Sequence, residues 1–181
     1  MATTKAIALA DLRSMIHAHQ ADVDSVFQPL DDATLAWRPA PKEWSILICF
    51  DHLNQTHAYY HAKITRALAA PVQVTGDKDA YRASFWGRVY MSFAFNPRWS
   101  FPTPDALMPN SAPQRTALAD YLTRQQALLD LFKTLDTVDL TRTRIPIEKN
   151  ISFNLGDCLK ILVHHDSLHI HQAHDVLAQV Q

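Results

Sequence analysis

Glycine, glutamate and cysteine are all scarce in this chain of 181 residues, and each scarcity excludes something. Three glycines are too few for a fold built on many tight β-turns, which favours helices from the outset. The only glutamates are Glu43 and Glu148, so the chain cannot furnish a di-iron carboxylate bundle, which draws a glutamate from each helix. Cys49 and Cys158 each fall inside an apolar helical pattern and lack the paired spacing of a zinc knuckle or a disulfide framework, so they read as reduced core residues. No apolar run is long enough to span a membrane, and the N-terminal MATTKAIALADLRSMIHAHQ breaks its apolar run with Asp11 and Arg13 and turns amphipathic. Seventeen basic residues against 18 acidic ones leave no broad positive surface for nucleic acid or anionic lipid. The expectation is one soluble, cytoplasmic domain spanning residues 1–181, with no nucleic-acid or membrane partner.

Proline, by contrast, is plentiful and clustered. The ten prolines lie at 29, 39, 41, 71, 97 to 113 and 146, and leave four long proline-free intervals. In the first, Leu12, Met15, Ile16, His19, Val23, Val26 and Phe27 recur at helical steps. The second, from about Glu43 to Ala69, puts Ile48, Cys49, His52, Thr56, Tyr59 and Lys63 on one stripe. Leu118, Tyr121, Leu122, Gln125, Leu128, Leu129, Phe132 and Leu135 form the seam of the third. The fourth starts near Asn154, with Asp157 three residues on as a rough capping box, and carries Cys158, Ile161, Leu162, His165, Leu168, His169, Gln172 and Val176. Four amphipathic helices of this kind bury their stripes together as an all-α four-helix bundle.

The connection between helices two and three, residues 71 to 113, is too long for a hairpin, and its segment YRASFWGRVYMSFAF predicts an extra helix. Tyr81, Phe85, Trp86, Val89, Tyr90 and Phe93 make this insertion aromatic. It either caps the bundle core or forms a pocket wall or subunit contact.

Ten histidines are present, and their phase matters more than their number. His165 and His169 stand one turn apart on one face, close enough for two imidazoles to reach one ion. Two inward imidazoles among Cys158, Ile161, Leu162 and Val176 would otherwise need separate hydrogen-bond partners in an apolar core. His52, mid-stripe on helix two, can supply a third ligand, giving a facial three-histidine set with an open position. His164, His171 and His174 point away from that face. His57 and His61 lie about 140° and 180° from His52 on the helical wheel, which assigns them to the outer surface. His19 occupies the seam of helix one as a core histidine, at best an outer neighbour of the ion. The stretch His165-Asp-Ser-Leu-His169 is similar to the zincin motif with aspartate in place of glutamate, but the shorter carboxylate and the lack of a substrate-positioning sheet argue against a protease.

Two separated blocks resemble the DinB/YfiT-like family of metal-binding helical bundles. The first is LAWRPAPKEWSILICFDHLNQTH, in which Trp37, Pro39, Trp44, Ser45, His52 and Leu53 look like the family's pattern leading into its second helix. The second is HHDSLHIHQ, whose His165, His169 and Gln172 match the histidine, histidine and glutamine of the family's last helix. The resemblance implies an up-down-down-up bundle holding one divalent ion (zinc, nickel, iron or manganese) on three histidines, often as a homodimer. It does not imply one reaction, since characterised relatives include thiol-dependent transferases and isomerases.

The reading that follows is a metal-dependent enzyme: a thiol S-transferase, isomerase or hydrolase that activates water or a low-molecular-weight thiol cosubstrate against a small electrophilic substrate. Its metal ligands would be His52, His165 and His169, with Gln172, Tyr59 and Tyr121 as pocket groups and no separate general base. The rival reading is a non-catalytic, metal-stabilised bundle that senses a ligand or binds a protein partner through its aromatic insertion. An accidental histidine cluster without metal is the third.

Overall fold

The computed structural model describes residues 3–74, 80–94, 103–148 and 151–180. Helix α1 (Lys5–Asp22) begins where the Thr4 hydroxyl accepts from Ile7 N, and it loosens into a π turn over Val23–Phe27 just ahead of Pro29. A short helix α2 (Asp32–Ala36), capped by Asp31, precedes the long helix α3 (Ile46–Leu68). Ser45 caps α3 by accepting from Ile48 N, so the helix starts three residues later than the expected Glu43. Helix α4 (Phe85–Ala94) occupies the aromatic insertion. Helix α5 (Thr116–Phe132) and helix α6 (Leu155–Leu177), the latter capped by Asn154 accepting from Asp157 N, match the third and fourth proline-free intervals.

The chain is mostly helical, and its strands are small additions that the glycine count did not foretell. Strand β1 (Thr3–Thr4) pairs antiparallel with β2 (Ala80–Tyr81), and β3 (Arg144–Glu148) pairs antiparallel with β4 (Ile151–Asn154). The β-branched Ile145, Ile147 and Ile151 suit such an edge hairpin, and Phe153 and Ile145 are buried beneath it. Residues 75–79 and 95–102, including Pro97 and Pro102 of the proline stretch, lie outside the described residues, as does the side chain of Phe93.

Helix α3 packs against both α5 and α6, and α1 packs against α5 and α6 in turn. The apolar interior divides into two clusters, one containing Leu12, Ile16, Tyr60, Leu128, Phe132 and Leu162, the other Val23, Phe27, Phe50, Leu53, Tyr121 and Ile170. A polar layer separates them, to which each long helix contributes one residue: His19 between Ile16 and Val23, His57 between Leu53 and Tyr60, Gln125 between Tyr121 and Leu128, and Asp166 between Leu162 and Ile170. Within it His57 Nε2 donates to Asp166 at 2.9 Å and Gln125 Nε2 donates to Asp166 at 2.8 Å.

That layer corrects the placement of His57 on the outer surface, since it is only 3 % exposed. The single-stripe argument fails because α3 is enclosed from more than one side: every residue from Ile46 to Asn54 is buried, so its inner arc is far wider than one face. His61, one turn on, is exposed as expected.

The two described glycines both seat the insertion on α6. A Cβ on Gly87 would stand 2.2 Å from Asp157 Oδ2, and one on Gly156 would stand 2.3 Å from the Tyr81 ring. Asp157 in turn accepts from Tyr81 Oη at 2.7 Å and Ser84 N at 2.9 Å.

Candidate metal centre

Three histidines from two helices converge beside the polar layer. His52 rises from the buried first half of α3, and His165 and His169 project from consecutive turns of α6. One ring nitrogen of each lies within 4.8 Å of the other two. The ring centroids are 5.1 Å apart for His52 and His165, 4.6 Å for His52 and His169, and 4.5 Å for His165 and His169. Among the described residues no other group of three histidine, cysteine or acidic side chains gathers in this way.

Neighbours fix which nitrogen faces inward in two of the three rings. His52 Nδ1 donates to the Leu107 carbonyl at 2.8 Å, which leaves a lone pair on Nε2. His169 Nδ1 donates to Gln172 Oε1 at 2.8 Å, with the same effect on its Nε2. Holding a ligand imidazole from behind through its other nitrogen sets both tautomer and ring direction. The Trp44 indole packs against two of the rings, with its centroid 4.9 Å from that of His52 and stacked 5.5 Å from that of His169.

Burial pushes all three imidazoles toward the neutral form that a metal requires. His165 is held well below the usual histidine range, first by burial and then by the neighbouring His169 and His52. His169 is brought down to about 4 by burial, with His52 adding to the effect. His52 is lowered by burial, partly offset by the Leu107 carbonyl and by Asp51.

His165 tests whether the set suits a cation. Its Nδ1 is buried without a hydrogen-bond partner, and its Nε2 lies 3.4 Å from His52 Nε2, which already carries a lone pair. Either His165 donates to His52 and leaves a bare acceptor at Nδ1, or two lone pairs face each other. A shared cation removes that repulsion, and three neutral imidazoles are an apt donor set for a divalent transition metal.

The remaining predicted site residues divide. Gln172 stands at the site, behind His169. Tyr59 lies elsewhere: its hydroxyl donates to the Ile147 carbonyl and its ring stacks under the Lys63 ammonium. Tyr121 is fully buried between Phe50 and His57, and burial, reinforced by Asp166, raises its phenol far above the ordinary range. His19 is buried and bonds Ser167 Oγ through Nε2 at 2.8 Å. His174 is tied to Asp22 at 2.7 Å, and the exposed His171 lies 3.8 Å from Asp175. Leu107 carries no signal in the sequence, because it acts through its backbone carbonyl. Trp44 was within reach, because it sits in the block that carries the family resemblance.

Beside His169 a cleft of about 400 Å³ opens to solvent, lined by Pro39, Lys42, Glu43, Trp44, Gln172 and Asp175 among others. No described helix is long and apolar enough to cross a membrane. No curated protein matches the sequence closely enough to lend it an activity. The family model described as the DinB superfamily matches residues 15–173, a span that includes all three histidines and Gln172, and the chain therefore belongs to the DinB superfamily.

Proposed function

We propose that this DinB protein is a metalloenzyme that holds one divalent ion on His52, His165 and His169 and presents water or a low-molecular-weight thiol to a small electrophilic substrate. The observation that carries this reading is the convergence of three imidazoles whose free nitrogens lie within 4.8 Å of one another. When bound, the ion would act as a Lewis acid, lowering the pKa of a water or thiol beside it.

The chain's own residues perform the rest. Leu107 and Gln172 keep His52 and His169 in the tautomers that offer Nε2. Trp44 shields both rings and forms one wall of the cleft in which a small substrate would sit. With three protein ligands and no fourth histidine, cysteine or acidic residue gathered with them among the described residues, the set leaves coordination positions for exchangeable ligands. The helices are read as an up-down-down-up four-helix bundle, working in the cytoplasm as a homodimer.

A second reading, a metal-stabilised module that senses a ligand or binds a protein, is favoured by α4, where Phe85 is 63 % and Trp86 47 % exposed.

Elemental analysis of untagged protein, purified without chelator, tests the central claim. About one divalent ion per chain is expected in the parent, with loss of that ion in His165→Ala. A parent that carries no divalent metal and takes none up from solution overturns the assignment. Turnover of electrophiles by the loaded protein with small thiols then separates the enzyme from the module.

A further inference from the structure

The connection between α4 and α5 returns to α3 twice, at two adjacent residues. A short 3₁₀ turn (Asp105–Leu107) delivers the Leu107 carbonyl to His52 Nδ1 at 2.8 Å. Three residues later the connection is anchored on Asp51: Asn110 N donates to Asp51 Oδ2 at 2.7 Å, and Asn110 Nδ2 lies 3.2 Å from both carboxylate oxygens. Asp51 is 9 % exposed, so these bonds form with little competition from water.

The link between the two contacts is stiff. Met108 is extended at φ −66° and ψ 127°, as a residue preceding proline must be, and Pro109 has a locked φ. Two adjacent residues of α3 and four consecutive residues of the connection therefore form a closed brace, in which the position of Asn110 dictates where the Leu107 carbonyl points.

We propose that Asp51 is a positioning residue for the metal centre: by anchoring Asn110 it holds the Leu107 carbonyl against His52 Nδ1, and so keeps His52 Nε2 unprotonated and aimed at His165 and His169. This inference rests on the three-histidine reading above. Because the Leu107 acceptor belongs to the backbone, no side-chain change removes it directly, and Asp51 is the residue through which the arrangement can be broken. Asp51 also carries charge close to His52, so a loss of metal affinity in Asp51→Ala alone would not separate positioning from attraction. Asn110→Ala makes the distinction, because it loosens the brace without altering any charge.

The experiment uses the full chain as parent, Asp51→Ala and Asn110→Ala, with melting of the metal-free proteins to establish that each is folded. Cobalt(II) is titrated and followed by its visible absorption. Asp51→Ala is expected to weaken cobalt binding roughly 10- to 100-fold, the range for groups that orient ligand histidines. Asn110→Ala should act in the same direction by less, because its backbone N–H still reaches Asp51. Independently of metal, long-range proton–nitrogen correlation spectra of the metal-free parent should show His52 as the Nδ1–H tautomer, and the Asp51→Ala spectrum a mixture. The proposal is overturned if His52 keeps one tautomer in Asp51→Ala, whatever the affinity does, or if Asn110→Ala binds cobalt as the parent does while Asp51→Ala does not. A parent that binds no cobalt overturns the metal assignment instead, and the tautomer spectra still decide the brace.

Discussion

Removing the Asp166 carboxylate should be strongly destabilising. In Asp166→Ala, His57 Nε2–H and Gln125 Nε2 lose their common acceptor, now 2.9 and 2.8 Å away, in a layer where Asp166 and Gln125 are fully buried. Each orphaned buried donor costs about 1–3 kcal/mol, so the two together cost roughly 2–6 kcal/mol. With a whole-domain stability of about 5–15 kcal/mol, that is a large fraction. For a domain of this size it corresponds to a fall in Tm of roughly 4–24 °C. The measurement is urea and thermal unfolding of metal-free parent and variant, so that no bound ion contributes. A companion variant, His57→Leu with Gln125→Leu and Asp166→Leu, removes donors and acceptor together, and it should recover most of the loss because apolar groups of similar volume need no partners. An Asp166→Ala cost below about 1 kcal/mol, or a triple variant no more stable than the single one, would refute the view that the bonds to the shared carboxylate hold this layer together.

Three further outcomes follow from the same packing. Gly87→Ala forces a methyl group to within 2.2 Å of Asp157 Oδ2, so it should destabilise by about 1–3 kcal/mol and make residues 80–94 the first site of limited proteolysis; unchanged melting and cleavage would contradict the close approach. Burial lowers the pKa of His19 while Asp166 and Asp22 pull it up and His57 presses it further down, so His19 takes up a proton more readily in the unfolded chain than in the folded one. Its contribution to stability is therefore complete above the unfolded value of 6.5 and fades as pH falls below it, and His19→Gln should flatten the pH dependence of unfolding there by at most about 1.4 kcal/mol per pH unit. Burial raises the Cys49 thiol to about 12 and pushes Cys158 up as well, so both should resist alkylating reagents in the native protein and react at once in denaturant; fast native labelling would show that the core admits reagent.

The three clustered histidines were legible because helical phase selects His165 and His169 as a pair and sets His52 on a facing stripe. What phase could not supply was the width of the buried arc. A stripe assumes a helix with one neighbour, whereas α3 is wrapped on several sides, and His57 passed from an expected surface position to the centre of the core for that reason. The four long helices were bounded by proline and by their caps, and the structure moves those bounds by a few residues at most. The hairpin of β3 and β4 was missed because a pair of short edge strands needs little glycine. The Leu107 contact left no trace, since a carbonyl is common to every residue and only the path of the chain makes one of them special.

The polar layer and the histidine cluster are linked through the rotation of α6. Asp166 and His165 are neighbours on that helix, about 100° apart, so whatever turns Asp166 toward His57 and Gln125 also turns His165 and His169 toward His52. An all-apolar interior would tolerate small rotations and register slips of α6 at little cost, and each would carry the two histidines away from the third. One carboxylate shared by donors on α3 and α5 does not tolerate them, because a slip leaves buried polar atoms unpaired. His19, reaching Ser167 from α1, adds a fourth helix to the same constraint. The polar residues in the core are thus better understood as setting the rotation at which three imidazoles meet than as adding to stability, which leucine could supply as well.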